Sequence, residues 1–303
     1  MSIVVKEVTK FYGEQKALDN VSFEVKTGQI VGFLGPNGAG KSTMMKIITG
    51  FIPASSGKVF VNNIEAGTDD PEIRKKIGYL PENNPLYPEM YVREYLRFVA
   101  SFYISGKRSS KAVDEIISVT GLAPEQNKRI GALSKGYRQR VGLAQALVHS
   151  PEVLILDEAT SGLDPNQIIE IRNLIKEAGK AKTIMLSTHI MQEVDAICDR
   201  IIIIDKGVIV ADEDKAGIYS KIKKPRQVVT VEFDREPGEA ALRAATGATS
   251  LKQVKAGTWA VESEGNEDIR PFIFSFAVLN NLTVLSLQKQ ESNLEEIFRL
   301  LTS

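Results

Sequence analysis

Apolar positions along this chain recur with two periods. Short, mostly apolar runs at residues 29–34, 77–80, 151–157 and 183–189 predict strands, those at 77–80 and 151–157 buried. Partial alternation predicts strands over 3–9 and 21–25, with Lys10, Phe11, Tyr12 and Gly13 lying between them, and a further strand with a turn over 55–64. Residues 201–210 read as a hairpin turning at Lys206 and Gly207. The second period is helical. Val92, Tyr95, Leu96, Val99, Phe102 and Tyr103 share one face of a helix over 91–104. Further helices are expected at 41–49, stopped by Gly50; at 71–76, with Pro71 in its first turn; at 110–120, stopped by Gly121; at 133–149, with Ser134 as N-cap; and at 165–178 and 191–198. Pro81, Pro85 and Pro88 forbid regular structure in the segment between.

Near Lys221, Lys223, Lys224, Pro225 and Arg226 the pattern changes, and a domain boundary is expected there, the charge run being a solvated linker. This divides the chain into domains at 1–220 and 226–303. The second reads as strand 227–233, helix 237–245, strands 250–255 and 259–263 turning at Ala256 and Gly257, helix 268–279 and strand 282–287. That β-α-β-β-α-β order suggests a small ferredoxin-like α+β unit. A final helix opens with a capping box, Ser292 to Glu295, and carries Leu294, Ile297, Phe298 and Leu301 as a stripe for docking onto its own chain.

Composition narrows the picture. An apolar content of 43% over 303 residues supports a real core. Lys+Arg and Asp+Glu balance at 38 each, which argues against a strongly basic nucleic-acid binder. The single Cys198 excludes an internal disulfide and a multi-cysteine metal site. No signal-peptide layout and no uncharged apolar run approaching roughly 20 residues is present, so a cytosolic chain that touches a membrane only through a partner is expected.

The chemistry centres on Gly35, Pro36, Asn37, Gly38, Ala39, Gly40, Lys41, Ser42 and Thr43, which match G-x-x-x-x-G-K-[ST] between an expected strand and an expected helix. Glycines let backbone N–H groups turn inward around a phosphate, and the helix N-terminus adds partial positive charge. Lys41 can reach the β- and γ-phosphates, and the Ser42 hydroxyl can hold Mg²⁺. The strand at 151–157 ends in Asp157 and Glu158, as in a Walker B element. Alone, Tyr12 fits a core position better than a stacking face, and His189 fits a solvated strand end.

Over residues 1 to about 215 these motifs, in this order, resemble the ATP-binding subunits of ABC transporters. The resemblance implies an α/β fold, a P-loop NTPase of ABC ATPase type with a mixed sheet core and antiparallel β and α-helical subdomains. It implies that Tyr12 stacks on adenine, that 35–43 is the Walker A loop, that Glu82 stands at the position of the loop glutamine, and that Asp157 and Glu158 serve the metal and the attacking water. Ser134 and Gly136 fall in the signature motif, Asp164 in the D-loop, and His189 at the switch histidine. It further implies ATP and Mg²⁺, with metal contacts from Ser42, Glu82 and Asp157; a head-to-tail homodimer in which Ser134 and Gly136 cap the partner's nucleotide; and permease subunits that hold the chain at the inner membrane face.

Two departures stand out: Leu-Ser-Lys135-Gly-Tyr137 replaces the usual LSGGQ, and Glu82 replaces the glutamine. Both resemble ABC-2-type exporters, whose ATPases often carry an extra C-terminal domain. The text at 80–87 and 293–298 looks most like the ATPases of gliding-motility-associated ABC transporters. The rival readings are a soluble ABC-type ATPase acting on nucleic acid or ribosomes, and a nucleotide-sensing subunit that hydrolyses poorly because of Glu82 and Lys135.

Overall fold

The computed structural model describes residues 1–67, 71–220, 226–264, 268–290, 298 and 302. The stretch 221–225 and the expected final helix, with its capping box at Ser292 and its stripe residues Leu294, Ile297 and Leu301, lie outside the described residues. The chain divides into two compact units, Met1–Ile218 and Tyr219–Leu300.

In the first unit, β1 (Ile3–Tyr12) and β2 (Gln15–Val25) form an antiparallel hairpin. The segment 10–13, unassigned between the two expected strands, is the end of that hairpin: Lys10 pairs with Leu18, Phe11 with Lys16 and Tyr12 with Gln15. Gly13, at φ 58°, permits the tight turn, and register shifts between Val5 and Phe11 had broken the alternation that would have announced the strand. β3 (Ile30–Leu34) leads into α1 (Lys41–Ile48), followed by β4 (Ser56–Val61) and β5 (Ile64–Glu65). A four-stranded sheet forms in the order β2-β1-β4-β5.

Next come α2 (Pro71–Lys76), β6 (Ile77–Leu80), α3 (Val92–Ser101), α4 (Lys107–Val119), α5 (Lys135–Leu147), β7 (Val153–Asp157), α6 (Pro165–Gly179), β8 (Thr183–Thr188) and α7 (Met191–Ile197). The hairpin β9 (Arg200–Asp205) and β10 (Val208–Asp214) completes the unit's sheet, and the division between the units falls within the short α8 (Lys215–Ser220). The sequence pattern did not announce α8, which buries Ile218.

These strands build a six-stranded sheet, β10-β9-β3-β8-β7-β6, parallel throughout except for β10. Every residue of β3, β7 and β8 is buried, as expected of parallel strands covered on both faces. One core joins the two sheets: Ile3, Val5 and Phe23 of the first meet Val31, Phe33 and Ile155 of the second, with Met44 and Met45 of α1 between.

Register decides where chemistry can occur. Leu34 pairs with Thr188, Asp157 with Ser187, and Leu80 with Leu156. The chain therefore leaves β3 toward Gly35, β8 toward His189, β7 toward Glu158 and β6 toward Glu82 along one edge, the carboxyl edge where α/β sheets place ligands.

In the second unit, β11 (Arg226–Phe233), α9 (Glu239–Thr246), β12 (Ser250–Lys255), β13 (Thr258–Glu264), α10 (Arg270–Leu279) and β14 (Val284–Gln290) follow in turn. The sheet order is β12-β13-β11-β14, antiparallel at each pairing, which is the ferredoxin-like arrangement. Val229, Val231 and Phe233 alternate onto the inner face, against Leu242, Trp259, Ile273 and Phe276. Among the described residues, no helix of either unit is long and apolar enough to cross a membrane.

Candidate nucleotide site

The loop from Gly35 to Gly40 is wedged between neighbours. A Cβ on Gly35 would lie 2.4 Å from the Ile204 carbonyl oxygen of β9. Gly40 holds φ 107°, and a Cβ there would lie 2.7 Å from the Ala17 oxygen of β2. Gly207 N–H donates to the Ala39 carbonyl at 3.1 Å. Among the described residues no side chain caps α1 and no acid stands in its first turn, so its N-terminal N–H groups are left for an anion.

Lys41 opens α1 and is buried. Its Nζ donates to the Gly35 carbonyl at 2.8 Å and to that of Pro36 at 3.1 Å, and lies 3.9 Å from Glu158 Oε1. Burial pulls the Lys41 pKa below its usual 10.5, while the charges of Glu158, Asp157 and Glu82 oppose that shift. The ammonium thus faces three carboxylates, with Glu158 at ion-pair distance.

Asp157 closes β7, buried, and accepts a hydrogen bond at Oδ1 from the Ser187 hydroxyl of β8. Glu158 follows in the left-handed region, φ 51°, where non-glycine residues are rare and mark functional turns. Its N–H donates to the Ser187 carbonyl at 3.0 Å, which holds that turn. Nδ1 of His189 donates to both Glu158 oxygens, 2.9 Å to each. The Glu158 side chain is 9% exposed and that of His189 46%.

These groups surround a cleft of about 540 Å³. Of the residues expected from sequence, Tyr12, Asn37, Gly38, Gly40, Lys41, Ser42, Thr43, Glu82, Glu158 and His189 line it. Gly35, Pro36 and Ala39, of the same loop, do not. Gln15, Ala17 and Ser161 line it without having been anticipated; the first two enter because the β1–β2 hairpin is longer than its pattern suggested. Tyr12 is 48% exposed at the hairpin tip, with Lys10 Nζ 5.4 Å from its ring centroid.

Asp157 lies outside the cleft but lines an adjoining cavity of about 500 Å³ together with Ser42 and Glu82. A hydroxyl and two carboxylates are hard oxygen donors, the set a Mg²⁺ ion takes. Among the described residues no group of three or more His, Cys, Asp or Glu could hold a metal.

Ser134, Gly136 and Asp164 are not brought to this cleft. Ser134 caps α5, accepting from Tyr137 N–H at 3.4 Å, and Asp164 caps α6, accepting from Gln167 N–H at 3.0 Å. The two helix starts abut: a Cβ on Gly136 would lie 2.5 Å from Gln167 Cδ, and one on Gly162 would lie 2.0 Å from Lys135 Nζ. Gln139 Nε2 donates to the Ala159 carbonyl at 2.7 Å, tying α5 to the loop after Glu158.

Of the aromatics on and beside α3, Tyr95 is buried, but Tyr91, Phe98 and Phe102 are 46%, 41% and 66% exposed. Tyr87, 53% exposed, packs on Tyr95 and Phe98 with ring centroids 5.8 and 5.9 Å apart, and Phe98 packs on Phe102 at 5.0 Å. Tyr87 and Phe98, outside the apolar stripe, join Phe102, just past the end of α3, in a surface patch.

The ABC transporter family profile matches residues 18–161. The linearmycin resistance ATP-binding protein LnrL of Bacillus subtilis is 32% identical over 98% of this chain and 97% of its own length. The bacitracin transport ATP-binding protein BcrA of Bacillus licheniformis is 39% identical over 70% of each chain. Among solved structures, the ATP-binding cassette MJ0796, in a dimeric post-hydrolysis state bound to ADP and Pi, aligns with a TM-score of 0.65 and 31% identity over 70% of this chain and 98% of its own. This chain belongs to the family of ABC transporter ATP-binding proteins. It is an ATP-binding, ATP-hydrolysing cassette with the ABC ATPase fold.

Proposed function

We propose that this chain powers an exporter of the ABC-2 type, as one of two copies that close head to tail over two ATP molecules beneath a pair of permease subunits at the inner membrane face. The observation that carries the reading is the convergence of Lys41, Glu158 and His189, from three strand ends, on one cleft beside the oxygen donors Ser42, Glu82 and Asp157. Relatives named for bacitracin transport and linearmycin resistance support export, and a dimeric relative supports the paired arrangement.

Each residue then has a task. Tyr12 offers its exposed ring to the base, and the amides of 35–43 receive the phosphates. Lys41 exchanges its bonds to Gly35 and Pro36 for bonds to phosphate oxygens. Glu158 orients the attacking water and takes its proton. With Nδ1 donating to Glu158, His189 reaches a γ-phosphate as a donor through Nε2 only when the ring carries both protons. Mg²⁺ held by Ser42, with Asp157 and Glu82, would neutralise phosphate charge. Ser134, Gly136 and Asp164, turned away from this cleft, serve the partner's nucleotide.

A role in gliding motility rests on the wording of 80–87 and 293–298 alone. Action on nucleic acid is disfavoured by the absence of net charge. The test is to purify the chain with its membrane partner and assay Mg-dependent ATP hydrolysis. A multi-span permease and hydrolysis are expected; purification with ribosomes, or ATP binding without turnover, would overturn the proposal.

A further inference from the structure

Beside the cleft, α7 carries a carboxylate to which this scheme gives no task. Glu193 sits in the first turn of α7 and is 1% exposed. Its Oε1 accepts from the Thr160 hydroxyl, and its Oε2 accepts from the Thr188 hydroxyl at 2.9 Å. Both threonines are buried, at 3% and 0% exposure. Neither bond comes from a cation. Taking a carboxylate out of water is costly unless its lone pairs are satisfied. Here the satisfying donors come from two different segments, which a single side chain thereby fixes to one another.

Those segments carry the two residues of the hydrolytic pair. Thr160 lies two positions after Glu158 and just before Ser161, which lines the cleft. Thr188 ends β8 immediately before His189, and its Oγ1 also accepts the Ile190 N–H at 3.0 Å. Glu158 meets His189 at 2.9 Å, and Thr160 and Thr188 both meet Glu193. The loop after β7 and the end of β8 are therefore tied to one another at two points, one of them the reacting pair itself.

We propose that Glu193 is a positioning residue for ATP hydrolysis, setting the spacing of the Glu158 loop and the His189 strand end. This rests on reading Glu158 and His189 as the hydrolytic pair. The geometry asks for two acceptors separated as in a carboxylate. Alanine supplies none. Glutamine supplies one acceptor and an amide donor, and serves both threonines if one bond reverses, since a hydroxyl accepts as well as donates.

The experiment is a kinetic cycle on the purified chain, with Glu193→Ala, Glu193→Gln, His189→Ala and the double variant Glu193→Ala/His189→Ala, each checked for fold by circular dichroism. Glu193→Ala is expected to lower kcat by about 10- to 100-fold, as misplacement of reacting groups does, with KM changed by less than about threefold. Glu193→Gln should recover most of the loss. In the His189→Ala background, removing Glu193 should cost less than about threefold more, because the residue it positions is gone.

An undiminished cost in the double variant, a KM that rises in step with the loss of kcat, or a folded Glu193→Ala with parental turnover overturns the proposal. If Glu193→Ala does not fold, Thr188→Val keeps the shape, removes the hydroxyl and runs the same cycle. If His189→Ala itself keeps full turnover, the reading of the hydrolytic pair falls, and the proposal with it. If His189→Ala is impaired while Glu193→Ala is not, only the role of Glu193 falls.

Discussion

The ammonium of Lys41 donates to the carbonyl of Gly35, six residues earlier in the same loop, at 2.8 Å. The cation that should meet a phosphate thus closes its own loop, and a nucleotide must displace that bond. Lys41→Ala is expected to lower steady-state ATP turnover at least about tenfold while the fold is kept, because a charge-assisted contact to the phosphates is lost. Unchanged turnover in a folded variant would refute the site.

The same lysine has a pH signature in the nucleotide-free chain. Burial lowers its folded pKa below 10.5, so the folded state sheds its proton before the unfolded state does. The penalty is full at pH below the folded pKa and is relieved as pH rises from there to 10.5. Lys41→Met removes this term. The stability gap between variant and parent, measured by denaturant titration, should shift toward the parent as pH rises through that window; a gap that moves the other way contradicts the cause.

Glu158→Gln keeps the shape of the side chain and removes the base. ATP should stay bound, and two copies should remain closed over it, giving a dimer in size-exclusion chromatography with Mg-ATP. A variant that binds ATP tightly yet stays monomeric rules out the paired arrangement for this chain.

Glu82 is exposed, lines the cleft and bears electrostatically on Lys41. Its carboxylate should attract Mg²⁺ and repel a metal-free triphosphate more than glutamine would. Glu82→Gln should therefore narrow the gap between ATP affinity with Mg²⁺ and with EDTA. A gap that is unchanged or wider would remove Glu82 from the site.

Leu86 and Tyr87 lead into the patch of Phe98 and Phe102, and Tyr87 packs against Phe98. Exposed aromatics grouped in this way mark a partner surface. Changing Leu86 and Tyr87 to Ser should abolish copurification with the permease while basal ATP turnover stays within about twofold, as surface changes away from a site are small in energy. Retained copurification would place the partner elsewhere.

How far the sequence reached follows from where each signal resides. The phosphate loop was legible because glycine spacing, strand and helix coincide within 20 residues, and β3 and α1 lie where they did. Tyr12 was assigned through resemblance, since its strand is broken by register shifts that blur alternation. Thr160, Thr188 and Glu193 were invisible: three buried polar residues at no telling spacing meet only after β7 and β8 pair. Phe102 belongs to the helical stripe yet is exposed, because helical spacing shows that a stripe exists but not how much of it a neighbour covers.

β3 is drawn between β8 and β9, and the loop that follows it rests on Ile204 and on Gly207. On the ribosome, Lys41 is made early and these supports come late in the unit. At about 5–20 residues per second the motif waits on the order of ten seconds or more for them. A nascent chain halted before β9 has the nucleotide-binding residues and the Ala17 contact of β2, but lacks the Ile204 and Gly207 supports that complete the loop's surroundings.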